Sequence, residues 1–416
     1  MAVGSDSASG TGSPGQAEAT GPLRGVRVLD LTRYLAGPFC TMLLADYGAN
    51  VVRVEAREGR EFRLAEDERD SYFFLSANRG KRSLALDARC DEGRALLRRL
   101  VGQFDVVVEN FRPGVMARLG LDPAELIAAQ PRLVVCSISG FGADGPYAER
   151  PGFDQIAQGM SGFMSLTGTP DSGPTRAGIA IADLLAGLFG SNGIALALLE
   201  RERTGRGQRV DTSLLEAMIG VLSWGAGMYF ESDRAPGPAG QHHPLSSPYG
   251  RFLARDGYLN IAAGNEAMWR ALVSCLLAER ASEWLDDPRF AQAAARVRHR
   301  DALTAAIEQE LARDDVVGWV ETLNAAGVPC GPVLDLEQVF ADPQVLARAM
   351  RVELPHPERG RFVTTGLPVK LSATPGAIER RPPLHGEHDS EVLAECGLSQ
   401  DEIAALRANG VIGSLV

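Results

Sequence analysis

Between Ala177 and Leu199 the chain carries a single charged side chain, Asp183. A lone carboxylate in an apolar run has two uses. It can cap a helix, accepting hydrogen bonds from the first unpaired backbone N–H groups. It can also be held ionised by a helix N-terminus in a water-poor site, where it is poised as a nucleophile. The stretch by itself leaves both readings open. Other nucleophiles and metal ligands find little support. The six cysteines, Cys40, Cys90, Cys136, Cys275, Cys330 and Cys396, are far apart and form no CxxC pair, so neither zinc nor a disulfide framework is indicated. His242 and His243 stand in a Pro-rich linker, and His385 and His388 stand in HGEHD with Gly386 between them. Both settings read as loops rather than ligand-bearing helices. No serine occupies a GxSxG elbow.

A second set of residues suits an anionic ligand. NRGKR (Asn78 to Arg82), NFRPG (Asn110 to Gly114) and Arg118 follow or precede strand-like runs. Arg and Lys near strand ends suit phosphates. GFGADG (Gly140 to Gly145) fits GxGxxG and follows a strand, but Pro146 and Pro151 leave no room for the helix that a dinucleotide fingerprint requires. Its backbone N–H groups remain suited to an anion or oxyanion.

The elements that must position these groups follow from periodicity. RVLDLTR, NVVRVEA, SLALD, DVVVEN and RLVVCSIS read as buried strands alternating with helices, including Asp91 to Phe104, Val115 to Leu119 and Pro123 to Gln130. That alternation predicts an α/β domain with a parallel, doubly wound sheet. A Gly- and Pro-rich region, 140–176, precedes the apolar segment. That segment reads as a helix starting at Asp183 and stopped by TGRG at Thr204 to Gly207. Asp183, Asn192, Gly187, Gly190 and Gly193 argue against a membrane span. A second long helix is predicted over Leu214 to Phe230, a linker over 232–248, and a hairpin from Tyr249 to Ala263 turning at Asp256-Gly257. Three helical stretches run to Ala326, and an edge segment follows at VPCGPV. Half-buried strands are predicted over 351–374, and C-terminal helices from Ser390 and Ser399, the latter with a capping-box pattern.

The whole chain has 416 residues, 45% hydrophobic and 23% charged, with 42 basic against 53 acidic side chains, a net charge of −11. This is long enough for two domains with sizeable cores, and too acidic for general nucleic-acid or anionic-membrane binding. Only Lys81 and Lys370 are lysines. Residues 1–21 lack basic and apolar signal regions and read as a disordered tail. The cysteine usage suits a reducing, cytoplasmic setting.

Several segments, in this order, resemble the family III CoA-transferases, which include formyl-CoA transferase, carnitine CoA-transferase and α-methylacyl-CoA racemase. They are GVRVLDLTRYLAGPFCTMLLADYGANVVRVE, NRGKRSLALD, DVVVENFRPGVMARLG, SGFGADGPYAERPGFDQIAQGMSG, ADLLAGLFG, TGRGQRVDTSLLEA, VPCGPV and LHGEHDSEVLAECGLS. The resemblance implies a Rossmann-like large domain over 22–205, completed by 351–416. It also implies a helix and linker over 206–248, a small α+β domain over 249–335, and a return linker over 336–350. Two such ring-shaped chains would interlock as a homodimer. It implies an acyl-CoA:carboxylate CoA-transferase with Asp183 as nucleophile, coenzyme A or its thioester as substrate, and no resident cofactor or metal. Leu35, Ala36, Arg57, Asn78, Arg79, Gly80, Lys81, Asn110, Phe111, Arg112, Arg118, Gly140, Phe141 and Gly142 match the family's CoA-contacting segments. Many of its transferases carry Gln where Leu35 stands, and Arg57 is one position off, with Ala56 in register.

Two alternatives accompany that reading: an acyl-CoA racemase or epimerase, and a non-catalytic CoA-binding homologue. The family's racemases use a His in the segment matching GFD; Phe153 stands there, and a phenyl ring transfers no proton. The segment AAGNEAMWR (Ala262 to Arg270) resembles members that use succinyl-CoA or other dicarboxylates.

Overall fold

The computed structural model describes residues 21–59 and 70–414. All of the expected N-terminal tail except Gly21 lies outside the described residues. The chain forms two compact units. One combines Met1–Pro151, Asp183–Ser213 and Arg351–Val416; the other combines Gly152–Ala182 and Leu214–Met350. The stretch expected as one large domain, 22–205, therefore divides: 152–182 belong to the second unit, and 206–213 add a strand to the first.

The first unit opens with β1 (Arg27–Asp30), α1 (Ala36–Asp46), β2 (Asn50–Glu55), α2 (Tyr72–Ser76), β3 (Arg82–Ala85) and α3 (Asp91–Val101). It continues with β4 (Val106–Glu109), α4 (Val115–Arg118), α5 (Pro123–Ala129) and β5 (Val134–Ser139). After α6 (Asp154–Met160) and α7 (Phe163–Leu166) of the second unit come α8 (Ile181–Thr204) and β6 (Arg209–Ser213). Six strands pair in parallel in the order β3-β2-β1-β4-β5-β6. The order reverses between β1 and β4, so ligands are expected outside the carboxyl ends of those strands. RVDTS is the sixth strand, beyond the five that the periodicity marks.

Unbroken Val and Leu runs reflect a sheet covered on both faces. Leu29, Val52, Leu84, Val107 and Val135 pack with Leu96, Leu97 and Leu100 of α3. Val392, Leu393, Ile403 and Leu406 close the same core from the C-terminal helices Asp389–Glu395 and Gln400–Ala408. The C-terminal segment also covers the exposed edge of β3. His388 N–H donates to Ser83 O, and Ala85 N–H donates to the Asp389 carboxylate at 2.8 Å. An uncovered edge strand would invite pairing with another chain. The second C-terminal helix carries the capping box that its sequence predicts, Ser399 with Glu402.

In the second unit, the helix expected over Leu214 to Phe230 is two helices. α9 (Leu214–Gly220) and α10 (Trp224–Ser232) are separated at Ser223, whose φ of 46° is incompatible with continuing an α-helix. The predicted hairpin is present as β7 (Tyr249–Leu253) and β8 (Tyr258–Ala262), with β9 (Cys330–Pro332) added at the edge. Trp269, Leu272, Leu303 and Trp319 pack on Phe252, Leu259 and Ile261 to form its core. β10 (Arg351–His356) and β11 (Gly360–Thr365) are strands expected within 351–374, and they pair antiparallel.

Candidate active site

α8 begins at Ile181, so Asp183 lies inside its first turn and not at the N-cap. The position still places the carboxylate beside the helix's unpaired N–H groups, where the macrodipole favours the ionised form. Asp183 is half-buried. One face of α8 is sealed: Ala182, Ala186, Ile194 and Ala197 are at most 1% exposed. This is the packing of a core helix, despite a composition apolar enough to cross a membrane. The other face carries Leu188, Phe189, Leu196 and Leu199, between 39% and 64% exposed, so the apolar segment forms a half-buried helix.

The glycines set the depth at which α8 lies. A Cβ on Gly187 would stand 2.5 Å from Ala36 O and 3.2 Å from Cys40 N. A Cβ on Gly193 would stand 2.6 Å from Val210 Cγ1. Gly187 is four residues after Asp183 and therefore on the same helix face. The N-terminus of α1 is thus the surface against which the Asp183 end of α8 rests.

That surface is held by a buried polar cluster. Asp30, at the carboxyl end of β1, is fully buried and accepts from Thr32 N–H at 2.9 Å, Thr32 Oγ1 at 2.5 Å, Thr41 Oγ1 at 2.7 Å and Lys81 Nζ at 2.9 Å. Lys81 spends its other two protons on Pro38 O and Asn78 Oδ1, each at 2.9 Å. Arg53 lies 3.9 Å from Asp30 and donates to Thr32 O. Burial pushes the Asp30 carboxyl up, but Lys81, Arg53 and the two threonines outweigh it and hold it below its usual range. Burial lowers Lys81 to about 8, with Asp30 opposing, so both partners are charged at neutral pH.

The residues that resemble CoA contacts fall into two sets. Leu35 and Ala36 are buried at the start of α1. Arg79 is buried too, paired through two nitrogens with Asp46 and bonded to Thr364 Oγ1 and Thr365 O. Gly80 N–H donates to Arg380 O, and Arg57 is engaged by Gly413 O and Gly410 O. Asn110 is tied reciprocally to the backbone of Arg33, accepting at 2.8 Å and donating at 2.7 Å. With Asn78 and Lys81, these side chains hold backbone in place.

Arg112 and Arg118 form the other set. They are exposed, and neither has an ion pair or hydrogen bond among the described residues. Phe111, Arg112 and Gly142 line a cavity of about 700 Å³ that runs from the carboxyl ends of β4 and β5 along α5 to Pro131 and Arg206. Sequence reasoning did not single out Glu109, Ser137, Arg209 and Asp211 in this lining. Its signal was the polar residues at the ends of otherwise apolar strands. Burial raises the Glu109 carboxyl, with Ser137 and the Phe111 N–H opposing. In the Gly140–Phe141–Gly142 turn, Gly142 N–H is taken by Ser139 Oγ at 2.8 Å. No group of three metal-ligating side chains occurs among the described residues.

The geometry offers a carboxylate on a rigid helix, a turn fixed beneath it, and unpaired arginines near the sheet's switch point. Comparisons with known proteins agree with the resemblance. The model of CoA-transferase family III matches residues 23–389. A succinate–glutarate CoA-transferase of Agrobacterium fabrum is 40% identical over 384 residues, covering 90% of this chain and 95% of that protein. A succinyl-CoA:glutarate CoA-transferase of Mus musculus is 36% identical, covering 97% and 93%. Among solved structures, a CAIB/BAIF family protein from Brucella suis superposes with a TM-score of 0.82 at 40% identity, covering 91% of this chain and all of that one.

Proposed function

The chain belongs to CoA-transferase family III, and from that premise we propose that it is an acyl-CoA:dicarboxylate CoA-transferase, with succinyl-CoA as donor and a glutarate-like acid as acceptor. The observation that carries the substrate class is the pair of relatives named for succinate or succinyl-CoA and glutarate, at 40% and 36% identity over nearly the whole chain.

Asp183 is the nucleophile. Its carboxylate attacks the thioester carbonyl; the C–S bond breaks, leaving an aspartyl–acyl anhydride and CoA thiolate. The thiolate attacks the Asp183 carbonyl and expels the donor acid, leaving an aspartyl-CoA thioester. The acceptor carboxylate attacks that thioester, giving a new anhydride and thiolate. The thiolate then takes the acceptor's acyl group and frees Asp183. One thioester is exchanged for another, so the chemistry needs a sheltered carboxylate and oxyanion donors rather than an external energy source. Arg112 and Arg118 supply charge for the CoA phosphates, with Phe111 and the Gly140–Gly142 turn beside them. Leu35 and Ala36 line the thioester end. Arg57, Asn78, Arg79, Gly80, Lys81 and Asn110 serve by fixing the backbone that CoA meets. An interlocked homodimer fits the exposed apolar stripe of Leu188, Phe189, Leu196 and Leu199, since exposed apolar patches of this kind mark interfaces.

Incubating the protein with succinyl-CoA and glutarate, read by mass spectrometry, yields glutaryl-CoA and succinate. Asp183→Ala abolishes transfer and leaves nothing to trap. Full transfer by that variant would overturn the assignment of the nucleophile. Phe153 stands where the family's racemases carry a His, and a phenyl ring relays no α-proton.

A further inference from the structure

The nucleophile is assigned by resemblance, but nothing in the resemblance says what holds it. We infer that the buried Asp30–Lys81 pair is a positioning device that fixes the turn 31–38 and, through it, the reactive end of α8. The inference rests on the proposed role of Asp183.

Apart from the Lys81–Asn78 bond and the Asp30–Arg53 ion pair, every tie from the pair reaches this turn or the helix that it opens. Asp30 takes the N–H and hydroxyl of Thr32 and the hydroxyl of Thr41 in α1. Lys81 takes the carbonyl of Pro38. Arg53 takes the carbonyl of Thr32, and Asn110 takes both backbone groups of Arg33. Between these ties Tyr34 sits in the left-handed region, with φ of 63°. A non-glycine residue persists there only when its surroundings over-determine it. Gly37 completes the seal, since a Cβ on it would stand 2.4 Å from Thr32 Cβ. The Ala36 carbonyl is thereby fixed, and it is the atom on which Gly187 closes.

Lys81 and Asp30 touch no ligand in this arrangement; all three ammonium protons of Lys81 are spent inside the protein. Both are positioning residues. A fully buried pair is a costly way to gain stability, because desolvation offsets much of the attraction. It is a good way to gain geometry, because each bond has one acceptable direction.

The test removes the pair without stranding a charge. Asp30→Asn combined with Lys81→Met is neutral, and Arg53 keeps Glu55 at 3.5 Å. Steady-state kinetics with succinyl-CoA and glutarate are compared with thermal unfolding. The double variant is expected to stay folded while kcat falls at least about tenfold, by more than KM for succinyl-CoA rises. A kcat within about twofold of wild type would overturn the inference, as would a loss that only follows the folded fraction. If the double variant does not fold, Thr41→Val decides. It keeps both charges and cuts one tie to α1, and it should lower kcat severalfold at an unchanged melting temperature; wild-type kcat there overturns the inference. Failure of wild-type protein to transfer CoA would instead sink the proposed function, before any variant is compared.

Discussion

Gly187→Ala tests directly whether the contact between α8 and α1 sets the position of Asp183, the proposed nucleophile. The added Cβ would stand 2.5 Å from Ala36 O, 3.1 Å from Phe39 Cδ1 and 3.2 Å from Cys40 N. A comfortable carbon–oxygen separation begins near about 3.3 Å, so about 0.8 Å must be found at the tightest point. The tightest opposing atom, Ala36 O, is backbone, as is Cys40 N, and that segment is tied to Lys81 and Asp30, so α8 gives way. Overpacking of this kind costs about 1–3 kcal/mol. Replacing a helical glycine returns about 1 kcal/mol. Net destabilisation is therefore about 0–2 kcal/mol, small for a chain of this size. Catalysis is more sensitive, since a shift of about 1 Å in a reacting group costs about a hundredfold in rate. Gly190→Ala is the matched control. Its Cβ meets Ile138 Cδ1 at 3.0 Å and Cys40 Sγ at 3.3 Å, both side-chain ends that can turn aside. Assayed for glutaryl-CoA formation and by thermal unfolding, Gly187→Ala loses about 10- to 100-fold in kcat with a near-normal melting temperature. Gly190→Ala stays within a fewfold of wild type in both. Wild-type kcat in Gly187→Ala, or equal losses in the two variants, would refute the reasoning.

Arg118→Ala removes an exposed cation that has no partner among the described residues. It should raise KM for succinyl-CoA about tenfold at an unchanged kcat, the signature of lost phosphate binding rather than lost chemistry; an unchanged KM would remove Arg118 from the CoA site. Burial raises Asp389 to about 6, outweighing the N–H of Ala85. Its folded-state value lies above the unfolded one, so the folded chain holds this proton between about pH 4 and pH 6 and loses the associated stability as pH rises through that window. The contribution is about 2–3 kcal/mol. Urea unfolding of wild type and Asp389→Asn across pH 4 to 7 should show the variant's curve flatter by that amount, and parallel curves would contradict it.

The parallel sheet was legible because its strands are short apolar runs separated by helical periods, a local pattern that needs no partner to be read. The Ser399 capping box was equally local, whereas the cover that Asp389 gives the β3 edge joins residues 304 apart and was not legible. β6 was missed as a strand because Arg209, Asp211 and Thr212 put polar side chains in it, and edge strands tolerate them. The break at Ser223 escaped because its neighbours, Val221, Leu222 and Trp224, continue an apolar pattern while the backbone turns. Asp183 was legible as the one charge in a long apolar segment, but its exact place in the first turn was not, since Ile181 and Ala182 carry no start signal.

The sequence by itself determined the fold class, the family resemblance and the residues worth testing, because strand and helix periodicity and ordered motifs are properties of neighbours along the chain. Only the tertiary structure divided the cationic segments into arginines open to a ligand and side chains spent on the protein. Lys81 and Arg112 look alike in a motif. One is sealed against Asp30, Pro38 and Asn78, and the other is exposed beside a cavity. That difference is decided chiefly by Asp30 and Pro38, 51 and 43 residues away from Lys81, because burial makes a charge costly unless each of its hydrogen bonds is met.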